Sequence, residues 1–323
     1  MTQKHSLTGL DAQNPLGFLA ALGLLRVLDE HAVACGAPRP TLAYTPDGAT
    51  SPTLGSHLSL DEVIAQVLDD AQNQATNPAV QFAYNQAGER VHGEAPDAIR
   101  DLKPLPLLAR ELLEESSTAP RRVADLAASF FSELVQDNKG NTKPTTLHFT
   151  AGQQTYLSAV EALRRGVRAE DVREALLGPW LKASVLPSLS WDACGARTYA
   201  LRANNPSTEK RGCEAGANWL ASIGMLFFPV MVNAEKLATN SSEKLVTTGI
   251  IGGWKSSQFR WPLWTGPLKA RVVAGLLKAD LRSWTAAQRQ ALGISQVFRS
   301  KINRSDQGGY GSFSPAAVEL PKT

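Results

Sequence analysis

The chain has 323 residues, of which 43% are hydrophobic and 20% are charged, and its net charge is +3. These values are ordinary for a globular protein and exclude a disordered or fibrous chain. A chain of this length buries most of the surface that its unfolded form exposes, so it needs no disulfides to fold.

The small net charge hides an uneven distribution along the chain. Residues 1–150 contain 11 Lys and Arg against 18 Asp and Glu, whereas residues 151–323 contain 22 against 12. A half-chain this basic attracts polyanions and accelerates their association. Charge alone favours a nucleic acid no more than it favours a solubilising surface or an acidic protein partner.

The cysteines and histidines indicate the compartment and argue against a metal site. Three cysteines, Cys35, Cys194 and Cys213, are too few and too widely spaced for a disulfide framework, which predicts a reducing compartment. All five histidines lie in the first half without paired spacing, so we predict no zinc site and no other cofactor. No apolar stretch of about 18 residues and no signal-peptide cleavage site is present. We therefore predict a cytoplasmic protein without a membrane partner.

The first predicted element is a helix that begins after Asn14-Pro15 and ends near Gly36. Asn is a favoured N-cap, and Pro at the first helical position loses nothing by its missing N–H. Ala20, Ala21 and Gly23 are small, so we expect another element to pack closely against that face.

Hydrophobic periodicity and turn residues predict the remaining elements. Further helices are predicted at residues 59–71, 102–113, 121–135, 153–163, 169–177, 215–228, 268–284 and 285–292. Strands are predicted at residues 41–44, 80–84, 146–150, 198–201, 245–251 and 258–264. The fold class is α+β, with a helix-rich N-terminal half containing short strands and a mixed α/β C-terminal half. A polar, turn-rich segment at 137–144 divides an acidic region (1–143) from a basic one (144–323), or else lies within one continuous domain.

No local motif indicates catalysis. The glycines at 249–253 lack the Gly-Lys-Ser/Thr ending of a phosphate-binding loop, and those at 308–311 neither follow a predicted strand nor open a predicted helix. Cys194 has no histidine in its half of the chain to activate it. His92 beside Glu94 is either an acid–base pair or a solvated turn. We predict a non-enzyme; an enzyme assembled from distant residues such as His92, Glu94 and His148 is the remaining alternative.

Three basic stretches are candidates for nucleic-acid binding. Arginine and lysine contact phosphates, asparagine reads base edges, and aromatic rings stack on bases. If they do not bind nucleic acid, the first stretch is a surface loop, the second a half-buried strand and the third a frayed tail. The candidate residues are Arg197, Arg202, Asn204, Asn205, Lys210 and Arg211 in the first stretch, Lys255 and Arg260 among three tryptophans in the second, and Arg299, Lys301 and Arg304 in the third.

Three blocks of the chain resemble subunits of type I-G (formerly I-U) CRISPR systems. The first is GLDAQNPLGFLAALGLLR at 9–26; the second contains WD at 191–192 and RTYA at 197–200; the third is GCEAGANWLASIGMLFFP at 212–229. They occur in the order that the family shows. Large subunits of these systems are usually far longer than this chain, so the resemblance fits a compact large subunit or an accessory family.

The resemblance implies a non-catalytic subunit of the CRISPR interference ribonucleoprotein. Large subunits contact the target duplex or the displaced strand, while the guide RNA reads the sequence. The resemblance thus implies DNA in preference to RNA as the ligand, with the other effector subunits and the guide RNA complex as partners. The alternative is a scaffold subunit that docks an acidic protein without touching nucleic acid.

Overall fold

The computed structural model describes residues 2–45, 49–73, 120–136, 142–149, 155–193, 212–237, 239, 244–253, 255–304 and 311–321. The helices are α1 (Pro15–Ala34), α2 (Leu60–Asn73), α3 (Pro120–Phe130), α4 (Tyr156–Gly166), α5 (Ala169–Leu177), α6 (Ala215–Gly224), α7 (Ala234–Leu237), α8 (Ala270–Leu277) and α9 (Ala286–Ala291). The strands are β1 (Gln3–Ser6), β2 (Thr41–Ala43), β3 (Thr53–Ser56), β4 (Phe131–Gln136), β5 (Thr142–Pro144), β6 (Val230–Val232), β7 (Leu245–Thr247), β8 (Ile250–Ile251), β9 (Gln258–Trp264), β10 (Ile294–Arg304), β11 (Gly311–Phe313) and β12 (Ala317–Val318). The predicted α+β class is confirmed. None of the helices in these ranges is long and apolar enough to cross a membrane.

Helix α1 is the central element, and its first three turns are buried on every side. The side chain of Asn14 accepts a hydrogen bond from the backbone N–H of Leu16 at 3.2 Å, which caps the helix as predicted. Beyond its last residue, Gly36 adopts a φ of +67°, a left-handed conformation that ends helices and favours glycine. The predicted bounds of this helix are confirmed.

The expected close partner of α1 is α6. A Cβ added to Gly23 would lie 1.8 Å from the carbonyl oxygen of Leu220, and one added to Gly224 would lie 1.9 Å from the carbonyl oxygen of Leu19. Each helix therefore presents a glycine to the backbone of the other. The two helices touch backbone to backbone, which only glycine permits.

The largest sheet has the strand order β11-β10-β9-β8, and β12 also pairs with β10; every pair is antiparallel. A second sheet has the order β1-β3-β2, and two-stranded sheets join β4 to β5 and β6 to β7. The indole N–H groups of Trp261 and Trp264 donate to the carbonyl oxygens of Ala12 and Leu42, at 2.8 and 2.7 Å. These two tryptophans of β9 therefore belong to the core, in agreement with the half-buried strand that was the alternative to nucleic-acid binding for this stretch.

Buried hydrophobic residues of both chain halves form one large cluster, which runs from Leu7 to Phe313. The predicted boundary at 143/144 falls inside β5, whose strand partner β4 lies in the first region.

The structure differs from the predicted elements at several places. The helix predicted at 121–135 ends at Phe130, and the chain continues as β4, because pairing with β5 takes over from local helix propensity. The strand predicted at 146–150 is wrong: β5 lies earlier, and the N–H of His148 donates to the carbonyl of Thr145 in a turn. The strand predicted at 245–251 is split by Gly249, with a φ of +75°.

The helix predicted at 268–284 ends at Leu277 and is followed by a short 3-10 turn at Leu281–Ser283. The elements predicted at 80–84, 102–113 and 198–201 lie outside the described residues.

Candidate nucleic-acid interface

The predicted contact residues fall into two groups. The six of the first stretch lie outside the described residues, as do His92, Glu94 and Cys194. The other five belong to β9, β10 and the turn that joins β8 to β9; they are Lys255, Arg260, Arg299, Lys301 and Arg304.

Strand β10 has one face in the core and one in solvent along its C-terminal half. Phe298, Ser300 and Ile302 are buried, whereas Arg299 and Lys301 between them are exposed. This alternation follows from the two-residue period of a strand. From Arg299 to Arg304 the third basic stretch is therefore a paired strand. The alternative prediction of a frayed tail is wrong for these residues.

The register between β9 and β10 places basic residues side by side. Arg299 is opposite Arg260, and Lys301 is opposite Gln258. Directly opposite residues share a face, with Cβ atoms about 5 Å apart, and like charges in such positions repel each other. We call this surface, made of Gln258, Arg260, Arg299, Lys301 and Asn303, the cationic face.

Lys255 lies at the margin of the cationic face, in the turn between β8 and β9. The N–H of Ser256 donates to the carbonyl of Gly253 at 2.9 Å to close this turn. The N–H of Ile302 donates to Ser257 at 2.9 Å, which holds the turn beside the end of β10 that carries Lys301. Lys255 is exposed there.

Arg260 is less exposed than Arg299 and Lys301, and it is paired with a carboxylate. Its Nε is 2.8 Å from Oε2 of Glu319, and its side chain is only 17% exposed. Glu319 also contacts Arg289 of α9, which is buried. The sequence alone did not indicate Glu319 or Arg289. They are 59 and 29 positions from Arg260, and no local pattern links them to it.

Arg304 has interior contacts. Its guanidinium donates to the backbone carbonyl oxygens of His148, at 2.9 Å, and of Thr146, and lies 5.0 Å from the centre of the Phe149 ring. Burial lowers the pKa of this guanidinium to about 10. These contacts hold the turn at 145–149 against β10, and Arg304 is therefore not counted in the cationic face.

A second polar cluster lies between α5, α6 and the start of α1. The N–H groups of Leu181 and Lys182 donate to Glu174 and Glu214 respectively, and the carboxyl group of Glu174 lies near that of Glu214. Burial, reinforced by the charge of Glu174 and opposed by the N–H of Lys182, raises the pKa of Glu214 to about 7. The carboxyl group of Glu214 therefore keeps a proton to a higher pH than an ordinary glutamate does.

The same cluster reaches the N-cap of α1 through Asp192. Lys182 Nζ donates to one oxygen of Asp192 at 2.5 Å, and Asn14 Nδ2 donates to the other at 2.8 Å. Lys182 has a φ of +54°, so its backbone is held in the left-handed region. In the sequence, Asp192 and Glu214 lie in the blocks that carry the resemblance, and nothing there predicts that Asp192 meets Lys182 or that Glu214 lies near Glu174.

Cys213, next to Glu214, is a buried thiol that donates to the carbonyl oxygen of Leu186 at 3.1 Å. Burial raises its pKa to about 11, so little thiolate forms at neutral pH. Across the described ranges, no group of three or more His, Cys, Asp or Glu side chains is placed to hold a metal ion.

The cationic face is thus the described surface that best fits a binding role, since Arg299 and Lys301 are exposed side by side on a strand whose other face packs in the core. It combines guanidinium, ammonium and amide groups, which donate hydrogen bonds to anionic oxygens. In comparisons with family models, curated proteins and solved structures, nothing matches this chain.

Proposed function

We propose that this protein is a non-catalytic, nucleic-acid-binding subunit of a CRISPR interference ribonucleoprotein. It contacts the target duplex or the displaced strand, with DNA as the ligand, and works in the cytoplasm beside the other effector subunits and the guide RNA. The resemblance of three sequence blocks to type I-G subunits supports membership of this ribonucleoprotein. The free thiols of Cys35 and Cys213 support a reducing compartment.

The observation that carries the proposal is the exposed pair Arg299 and Lys301 on the outer face of the large sheet. The two side chains are two residues apart on one strand, so they are separated by about 7 Å on the same face. Arg260 is directly opposite Arg299, with its charge paired to Glu319. A row of cations on a rigid strand suits a sugar–phosphate backbone, whose charges also form a row.

The aromatic residues of the sheet support contact with phosphates in preference to stacking on bases. Phe259, Trp261 and Phe298 are buried and pack on one another, with centroids of Phe259 and Trp261 5.0 Å apart. Base stacking needs exposed rings. The cationic face therefore contributes affinity and leaves sequence reading to the guide RNA.

The experiment is a fluorescence-anisotropy titration of labelled duplex, single-stranded DNA and single-stranded RNA at several salt concentrations. The double variant Arg299→Ala/Lys301→Ala should weaken binding to every sequence and reduce the slope of log K against log salt by up to about 1.8 for duplex DNA. Its matched control is Arg271→Ala/Lys278→Ala, which removes the same charge from exposed positions of α8 and its C-cap.

Equal affinity and slope in the double variant and its control would refute the cationic face as the contact. If the double variant alone loses affinity, the loss comes from the site and not from the lower net charge. The duplex, single-stranded DNA and RNA arms identify the preferred ligand.

A scaffold role without nucleic-acid contact is the second candidate, and two exposed apolar side chains favour it. Leu134 of β4 is 61% exposed and Met231 of β6 is 56% exposed, although both lie on paired strands. Strands β4 and β6 contact each other, and apolar side chains exposed together in one patch are typical of protein interfaces. Retention of an effector subunit in a salt-dependent pull-down, with no nucleic acid bound in the titration, would favour this candidate.

A further inference from the structure

Glu319 lies on the same face of the large sheet as the basic residues. Its N–H donates to the carbonyl of Val297 at 2.7 Å, and Val318 is opposite Phe298, so Glu319 is opposite Val297 on the edge of β10. Alternate residues of a strand share a face. Glu319 therefore shares the face of Val297 and Arg299, and Arg260 is opposite Arg299 on the next strand.

The carboxylate of Glu319 lies between two guanidinium groups. Its Oε2 is 2.8 Å from Nε of Arg260, and its Oε1 is 3.7 Å from Nη2 of Arg289. Nη1 of Arg289 donates to the backbone carbonyl of Glu319 at 3.0 Å, which anchors the segment. The three side chains are 17%, 12% and 7% exposed for Arg260, Glu319 and Arg289.

A phosphate group would be held by the same kind of contacts. Guanidinium groups bind carboxylates and phosphates with the same planar arrangement of donors. Arg260 is next to the exposed Arg299, so a backbone that lies on Arg299 brings a phosphate within reach of Arg260. Glu319 and that phosphate compete for one cation.

We infer that Glu319 is an internal competitor that withholds Arg260 from the nucleic-acid backbone. In the unbound protein its carboxylate neutralises Arg260 and relieves the repulsion between Arg260 and Arg299. While this ion pair persists, a backbone phosphate on Arg299 gains little from Arg260; removal of the carboxylate charge lets Arg260 join the contact. This inference rests on the proposed function and assigns a regulatory residue to the same face.

The variant Glu319→Gln tests the competition, because glutamine keeps the size of the side chain and removes its charge. Affinity for duplex DNA at low salt should become about three- to tenfold tighter, since one repulsive charge a few ångströms from the phosphates is lost. If Arg260 gains a phosphate, the slope of log K against log salt should become steeper by about 0.9 for duplex or about 0.7 for a single strand.

The matched control is Glu235→Gln, which makes the same charge change at an exposed position on α7. Arg260→Gln and the double variant Arg260→Gln/Glu319→Gln complete a thermodynamic cycle. Arg260→Gln alone should leave affinity within about twofold of the wild type, because Arg260 is already neutralised, and the double variant should lose the gain in affinity and slope. Thermal unfolding of each variant shows which are folded.

The outcomes separate the inference from the proposed function. A gain in Glu319→Gln that Glu235→Gln lacks and that Arg260→Gln abolishes supports the competition. Equal affinity in wild type and Glu319→Gln, while Arg299→Ala/Lys301→Ala still weakens binding, overturns the competition and leaves the proposed function standing. If Glu319→Gln does not fold, a large loss of affinity in Arg260→Gln alone overturns it. No binding by the wild type overturns both.

Discussion

The raised pKa of Glu214 predicts that stability falls as the pH rises towards neutrality. The folded protein raises the pKa of Glu214 from its ordinary value of 4.5 to about 7. Between these two values the folded state keeps a proton that the unfolded state has lost. The free energy of unfolding therefore decreases across this window and the contribution of Glu214 becomes level above pH 7.

The variant Glu214→Gln removes this pH dependence and should leave the geometry in place. An amide oxygen still accepts the N–H of Lys182, and the amide NH₂ can donate to the nearby carboxylate of Glu174 in place of the proton on Glu214. The shift from 4.5 to about 7 corresponds to roughly 3 kcal/mol. Glu174 is half-exposed, and water around it screens the pair, so we expect a net effect of about 1–2 kcal/mol.

The assay is urea denaturation of wild type and variant at intervals from pH 5 to pH 8.5. The stability of Glu214→Gln relative to wild type should increase by about 1–2 kcal/mol over that range. The control is Glu170→Gln, an exposed carboxylate on the same helix as Glu174. Parallel pH profiles for wild type and Glu214→Gln would show that folding does not raise the pKa of Glu214.

Two further predictions test the packing of the core and the role of Arg304. Gly23→Ala places a methyl group 1.8 Å from the carbonyl oxygen of Leu220, so it should separate α1 from α6 and lower the free energy of unfolding by about 2–4 kcal/mol. In contrast, Gly275→Ala in α8, where a Cβ meets nothing within 4 Å, should be neutral or stabilise by up to about 1 kcal/mol, both measured by urea denaturation. Arg304→Met should lower stability by about 1–3 kcal/mol, because the carbonyl oxygens of the turn at 145–149 lose their donor. The same variant should leave the salt dependence of nucleic-acid binding unchanged in the anisotropy titration, and a smaller slope would instead make Arg304 a phosphate contact.

Elements with strong local signals matched their predicted positions. Helix α1 follows its Asn14-Pro15 start, and the helix predicted at 169–177 has the bounds of α5. The strand predicted at 258–264 has the bounds of β9. Its sequence has no β-branched residues but is rich in aromatic ones, which suits a buried sheet. Caps, prolines and periodicity act within a few residues, so they are visible in the sequence.

Part of the candidate site was also predicted from the sequence. The excess of basic residues after position 150 and the cluster at 299–304 predicted a basic surface in the segment that forms β10. The small residues of the first helix also predicted a close neighbour, although they did not identify α6. Composition and spacing therefore located the charges and the close-packed face.

The pairing of distant segments determined the rest. Phe131 begins a strand because β5 pairs with it, and Arg304 is buried because the turn at 145–149 offers carbonyl oxygens to its guanidinium. Arg260 meets Glu319, and Glu174 meets Glu214, only because the fold brings their strands and helices together. Local sequence determined where the helices start and which stretches are basic. Tertiary contacts determined which of those basic groups face solvent, because burial and ion pairing depend on neighbours that are far away along the chain.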